Sequence, residues 1–100
     1  MTLTLRNGPV EREAALPDGR VLLVRVGIAS DAYVPRRDLT TVSLELVGSD
    51  DRVEATVNTL LRPDQVAEAR KLVGDVAAKL ESGELAPTAR AIEPLADSIA

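Results

Sequence analysis

The sequence predicts an α+β domain in which an antiparallel meander of four to five strands precedes one long C-terminal helix, packed on one sheet face, and a shorter, proline-interrupted helix. Two observations predict this order. Up to about residue 60 apolar and polar residues alternate, as in a strand, whereas beyond it apolar residues recur every three or four positions, as in a helix. Strands and helices segregated along the chain in this way are typical of the α+β class. The length of 100 residues corresponds to a single domain.

The first predicted hairpin joins strands over residues 10–16 and 20–29 through the turn Pro17-Asp18-Gly19. Proline presets φ for a turn and glycine readily adopts positive φ, so this tripeptide favours a tight reversal of the chain. The first strand is short and charged, which is typical of the edge of a sheet.

The second strand of this hairpin is predicted to lie inside the sheet because it carries apolar residues on both faces. Val21 and Leu23 lie on one of them. The other face carries the alternating residues Leu22, Val24, Val26 and Ile28. Residues 2–6 are a candidate fifth strand, and residues 30–39 form a polar loop.

A second hairpin is predicted with strands over residues 40–48 and 52–61, joined by a Gly-Ser-Asp-Asp loop. A four-residue loop places every alternating apolar side chain on one face and sets Glu45 opposite Glu54. The predicted cross-strand pairs are Val47–Arg52, Leu46–Val53, Glu45–Glu54, Leu44–Ala55 and Val42–Val57. Two glutamates placed in this way repel each other unless a cation compensates them.

A long helix is predicted over residues 63–82. Pro63 suits the first helical position, Asp64 suits the first turn, and Gly83 suits the C-terminal cap. The apolar residues between them form one stripe, as in a helix that lies on a sheet. Gly74 lies within this helix, and a close helix crossing would explain why it is tolerated there.

A shorter helix is predicted over residues 87–98. Its apolar stripe consists of Ala89, Ile92, Leu95 and Ile99. Pro94 lacks a backbone N–H, so we expect it to kink or divide this helix. The stripe is predicted to cover the core, and docking on a partner is the alternative.

The composition excludes several kinds of chemistry. The chain has no His, Cys, Trp or Phe and a single Tyr, so thiolate nucleophiles, Ser-His-acid triads and soft metal sites cannot form. No cofactor or metal is therefore expected. One aromatic residue cannot provide a stacking surface for bases, and a net charge of −4 repels phosphate, so nucleic acid is not expected as a partner.

A membrane location is not predicted either. The longest apolar run, Val21–Val24, ends at Arg25 and is far shorter than the ~20 residues of a membrane-spanning helix. The first residues lack the basic and apolar segments of a secretory signal. We therefore expect a cytoplasmic protein.

The best candidate polar site is a row of side chains across the sheet, formed by Glu11, Arg25, Glu45 and Glu54. As a functional site, a close pair of carboxylates could hold a hard cation or transfer a proton. The more common interpretation is a solvated sheet face on which acids and Arg form ion pairs of modest energy.

Candidate partner-contact residues come from three parts of the chain. Tyr and Arg are frequent interface anchors, and the polar loop contains Tyr33, Arg36 and Arg37. Val21 and Leu23 lie on the sheet face opposite the helix, and the N-terminal segment adds two further apolar residues, Leu3 and Leu5. We predict that a second chain covers this face.

These features predict a small non-enzymatic interaction or assembly module, either a homo-oligomer or an accessory subunit of a complex. Reactive groups are scarce, and the apolar surface exceeds what one helix layer can cover. The alternative is a small α+β enzyme or ligand-binding domain that uses carboxylates and Arg between sheet and helix. A buried polar residue between the layers would favour the alternative, and an exposed aliphatic patch would favour assembly.

Overall fold

The computed structural model describes residues 8–28, 42–59 and 61–98. Within them the chain forms one open antiparallel sheet and two helices, which confirms the α+β class. The elements are β1 (Val10–Ala15), β2 (Val21–Ile28), β3 (Val42–Val47), β4 (Val53–Asn58), α1 (Val66–Ser82) and α2 (Ala89–Ser98). The strand order is β1-β2-β3-β4, so the described strands form a meander with β1 and β4 at its two ends. The candidate strand over residues 2–6 lies outside the described residues.

The core lies between one face of this sheet and the two helices. Helix α1 contacts β1 and β2, whereas α2 contacts β4 and α1. Alternate strand residues point into this layer, and the largest fully buried side chains are Leu22, Leu44, Leu46, Leu72, Leu80 and Ile92. Because Ile92 and Ala96 of α2 are both fully buried in this cluster, α2 packs on its own chain.

The first hairpin has the predicted turn. The N–H of Leu16 donates to the carbonyl of Arg20 at 2.7 Å, and the N–H of Gly19 donates to the carbonyl of Leu16 at 3.0 Å. Gly19 has a φ of +93°, a conformation that glycine adopts at little cost. Pro17 and Gly19 therefore act as expected, and strand β1 pairs in register with β2 up to Ala15–Val21.

The loop of the second hairpin is shorter than predicted. The N–H of Gly48 donates to the carbonyl of Arg52 at 2.8 Å, so three residues rather than four lie between the paired ends. Asp51 closes the turn with its N–H 3.0 Å from the Gly48 carbonyl and with a φ of +62°. Aspartate tolerates this left-handed conformation better than most residues, which permits the shorter loop.

A β-bulge then compensates for the shorter loop. The loop alone displaces the pairing by one residue and would turn the apolar side chains of β4 away from the core. A register shift between Leu46 and Val47 displaces it by one more, so Leu44 faces Val57 and Leu46 faces Ala55. All five predicted pairs are therefore wrong, namely Val47–Arg52, Leu46–Val53, Glu45–Glu54, Leu44–Ala55 and Val42–Val57. The two displacements add to two residues, which is one full period of a strand, so Ala55 and Val57 still face the core.

Helix α1 begins later than predicted, at Val66 instead of Pro63. Pro63 and Asp64 lie in a preceding turn in which the N–H of Gln65 donates to the carbonyl of Arg62 at 3.0 Å. A second hydrogen bond spans the same turn, because the N–H of Arg62 donates to Gln65 Oε1 at 2.7 Å. Proline suits the second position of such a turn as well as the start of a helix, so the sequence signal fits both.

The ends of both helices have clear local causes. Gly83 caps α1 with a φ of +80°, as predicted. Thr88 precedes α2, and its Oγ1 accepts the N–H of Ala91 at 3.2 Å, as in an N-cap. Helix α2 runs through Pro94 from Ala89 to Ser98, and the predicted interruption is not confirmed.

Two glycines in regular elements differ in their surroundings, and this predicts opposite mutational effects. A Cβ at Gly74 would have Arg12 Nη1 as its nearest neighbour, at 3.7 Å, so no close helix crossing requires this glycine. A Cβ at Gly27 would lie 3.0 Å from Pro9 Cβ. We expect Gly74→Ala to raise the free energy of unfolding by ~0.5–1 kcal/mol and Gly27→Ala to lower it by ~1–3 kcal/mol.

Urea denaturation of the two variants tests this pair of expectations. Both substitutions reduce the conformational freedom of the unfolded chain to the same extent. If they change the free energy of unfolding in opposite directions, the cause is therefore the packing around each glycine in the folded protein. Equal effects of the two variants would contradict the packing described for Gly27.

Candidate functional site

The candidate site is the sheet face opposite α1 and α2, which we call the outer face. Neither helix packs on it, because the core cluster uses the other side of every strand. The register places side chains from different strands side by side on this face. One row is apolar over β2 to β4, with Leu23 paired to Val47 and Val47 paired to Val53, and it ends at Glu13 of β1, the partner of Leu23. The next row is charged and starts at Glu11, the partner of Arg25.

We call the apolar row and Val21 the outer-face apolar group. Its members are Val21, Leu23, Val47 and Val53. Val21 is 45% exposed and Val53 is 43% exposed, which makes them the exposed large hydrophobic residues of the described chain. Leu23 is partly buried, and Val47 is only 4% exposed. The group therefore presents two aliphatic side chains to solvent beside a buried one.

The charged row brings together three of the four predicted polar residues. Arg25 pairs in register with both Glu11 and Glu45. Its Nε and Nη2 donate to Glu45 Oε1 at 3.2 and 3.1 Å, and both side chains keep about a third of their surface exposed. Such a partly exposed pair is worth at most ~1 kcal/mol.

The fourth predicted residue, Glu54, does not join this row. Thr56 instead faces Glu45, because of the shortened loop and the bulge. Glu54 is exposed, and its carboxylate approaches the position of a Cβ on Gly48 to 3.2 Å. The expected repulsion between Glu45 and Glu54 is therefore wrong, and the proposal of a cation or proton site loses its pair of carboxylates.

Two grooves lined by described residues adjoin the outer-face apolar group. The smaller, of about 240 Å³, has the apolar floor Val21, Leu23 and Val47 and is flanked by Glu13 and Asp51. The larger, of about 530 Å³, lies where the two hairpin loops approach each other. It is lined by Gly19, Arg20, Val21, Leu22, Gly48, Ser49, Asp50, Arg52 and Glu54.

The two arginines of the larger groove already have carboxylate partners. Arg20 Nε lies 2.8 Å from Asp18 Oδ2, and Arg52 Nε lies 3.7 Å from Asp50 Oδ2. The backbone N–H of Arg20, followed by its guanidinium, holds the pKa of Asp18 below its usual value. Asp18 therefore stabilises the turn at neutral pH, and this contribution is lost as the pH falls through its lowered pKa.

Two of the seven predicted contact residues lie within the described part of the chain. Val21 and Leu23 lie on the outer face as expected. The remaining candidates, Leu3, Leu5, Tyr33, Arg36 and Arg37, lie outside the described residues. Sequence reasoning missed Val53, because simple alternation places it on the core side, and only the bulge pairs it with Val47.

The described residues, 8–28, 42–59 and 61–98, contain no group of three or more acidic side chains arranged to hold a metal ion. Within the same residues, neither helix has the length and apolar character needed to cross a membrane. Comparisons with protein-family models, with curated proteins and with solved structures find no match to this chain.

Proposed function

We propose that this protein is a non-enzymatic interaction module whose outer face packs against a partner protein, as an accessory subunit of a complex. The observation that supports it is the outer-face apolar group, in which Val21 and Val53 stay nearly half exposed. Burial of a whole Val side chain is worth at least ~1.5 kcal/mol, so covering the exposed halves of these two contributes ~1 kcal/mol each.

Charge favours a partner of different sequence over a second copy. Strands β1 to β3 place three Glu on the outer face and only Arg25 as a cation, which already donates to Glu45. Two copies placed face to face would bring these acids together, and opposed like charges weaken association. A partner with basic groups around an apolar strip complements this face.

The size of the face indicates how far the partner must extend. Four strands of about six residues cover ~400 Å² in projection, and part of this area is not available to a partner because Ser43 and Val47 are already buried. A standard interface buries ~800 Å² on each side. The partner must therefore also contact the hairpin loops, which flank the larger groove beside Val21.

The alternative of a ligand pocket between sheet and helices gains no support from the described residues. The buried cluster in that layer is apolar, and Arg12, which approaches Gly74 of α1, is exposed. Of the buried polar residues, Ser43 lies on the outer face, and Thr59 Oγ1 is engaged in donating to the Val42 carbonyl at 2.7 Å. An exposed aliphatic group beside an apolar core is the pattern expected of an interaction module.

Leu23→Glu tests the proposed function, with Lys71→Glu on the exposed side of α1 as the control. A protein captured from the source cells by wild type is purified, and its binding to each variant is measured by calorimetry. We expect Leu23→Glu to weaken binding at least tenfold, because it places a charge in the apolar row, and Lys71→Glu to leave it within about twofold. Circular dichroism verifies that both variants fold.

Two results would overturn the proposal. One is equal binding of Leu23→Glu and wild type to the purified partner. The other is a wild-type protein that sediments as a dimer at micromolar concentration and becomes a folded monomer with Leu23→Glu, because the occupant of the outer face is then a second copy.

A further inference from the structure

We infer that the smaller groove of the outer face receives one basic side chain, Arg or Lys, from the partner. This inference rests on the proposed function and specifies how that face recognises its partner. The groove combines an apolar floor of Val21, Leu23 and Val47 with the carboxylates of Glu13 and Asp51. Arg and Lys match this arrangement because an aliphatic stem carries their cationic head group.

The charges at this end of the sheet distinguish the groove from its surroundings. Asp18 and Asp50 each lie beside an arginine of the same turn. Glu13 and Asp51 have no ion pair within the described part of the chain, and both flank the smaller groove. Glu54 also has no ion pair there, but it lines the larger groove, next to two arginines that are already paired. The smaller groove therefore combines two such carboxylates with an apolar floor, where a cation with an alkyl stem satisfies both.

The volume of the groove limits the occupant. Sites for small-molecule ligands usually enclose ~300–1,000 Å³ and bury most of the ligand. At about 240 Å³ this groove is smaller and open, so it suits one long side chain better than a metabolite. Arg and Lys differ in that guanidinium can bind a carboxylate through two parallel hydrogen bonds, whereas ammonium acts as a point charge.

Small cations that mimic these side chains test the inference without the partner. The ¹⁵N-labelled protein is titrated with n-butylguanidinium and n-butylammonium. n-Butanol supplies the alkyl chain without charge, and guanidinium chloride supplies the charge without the chain. We expect saturable shifts of the Val21, Leu23, Val47, Gly48 and Ser49 amides with the two alkyl cations only. A tighter response to butylguanidinium identifies Arg, and a tighter response to butylammonium identifies Lys.

A double variant and its matched control distinguish an effect of the two groove carboxylates from an effect of net charge. Glu13→Gln with Asp51→Asn removes the two groove charges, and Asn keeps the left-handed conformation accessible at residue 51. We expect at least fivefold weaker binding of the alkyl cations. Glu68→Gln with Glu93→Gln removes two exposed charges from the helices and is expected to leave binding unchanged.

The results that would overturn the inference are shifts of equal size with n-butanol, shifts located elsewhere, no saturable shifts, or equal weakening by both double variants. If they occur while Leu23→Glu still abolishes partner binding, the proposed function stands and only the groove assignment fails. If the alkyl cations bind as expected but Leu23→Glu has no effect on the partner, the proposed function fails instead.

Discussion

Ile92→Ala is expected to lower the free energy of unfolding by about 2–5 kcal/mol, as large-to-small substitutions in a packed core do. Ile92 is fully buried, and it belongs to α2, which contacts β4 and α1. Small domains are often stable by only ~5–15 kcal/mol, so this one substitution removes a large part of the total. Urea denaturation followed by circular dichroism measures it.

Val21→Ala is the matched control for this experiment. It also shortens an aliphatic side chain, but at a position that is 45% exposed on the outer face, so we expect a loss of less than ~1 kcal/mol. A loss below ~1 kcal/mol for Ile92→Ala as well would contradict the packing of α2 on its own chain.

The second prediction concerns the register of β3 and β4. A Glu45→Cys/Thr56→Cys variant is expected to form a disulfide, because these residues are direct cross-strand partners. Glu45→Cys/Glu54→Cys is the matched control. In the observed register its two positions are diagonal neighbours, about 7–8 Å apart, which exceeds the reach of an unstrained disulfide. The natural chain has no Cys, so no other thiol competes.

The crosslink also has a large effect on stability. Closing a loop of about a dozen residues stabilises a protein by ~2–4 kcal/mol. Comparison of the oxidised and reduced forms of one variant removes the effect of the substitutions themselves. Mass spectrometry and thermal denaturation measure the two quantities. A disulfide in the Glu45→Cys/Glu54→Cys protein, with none in the other, would favour the four-residue loop over the observed register.

Much of the fold follows from local signals in the sequence. Pro17-Asp18-Gly19 specifies a turn by backbone preference alone, and the structure has that turn. Gly83 ends α1 for the same kind of reason. Alternation predicts that Leu44 and Leu46 face the core, and both are fully buried. These features depend on neighbours in the chain, so a sequence pattern is enough to predict them.

The pairing of β3 with β4 shows what a pattern cannot decide. Alternation has a period of two, so it separates the two faces of a strand but is unchanged when the register moves by two residues. The left-handed conformation of Asp51 and the bulge beside Val47 determined that displacement. As a result Glu45 faces Thr56, and Glu54 stays out of the charged row.

By itself, then, the sequence determined the class of the fold, the first turn, the core face of each strand except at Val53, and the place of Arg25 between Glu11 and Glu45. Only the tertiary structure decided which groups surround the outer-face apolar group. Glu13 and Asp51 lie on different hairpins, and they flank one groove because β1 to β4 fold side by side. No local period links residues so far apart, since their approach depends on loop geometry and on packing across the whole sheet.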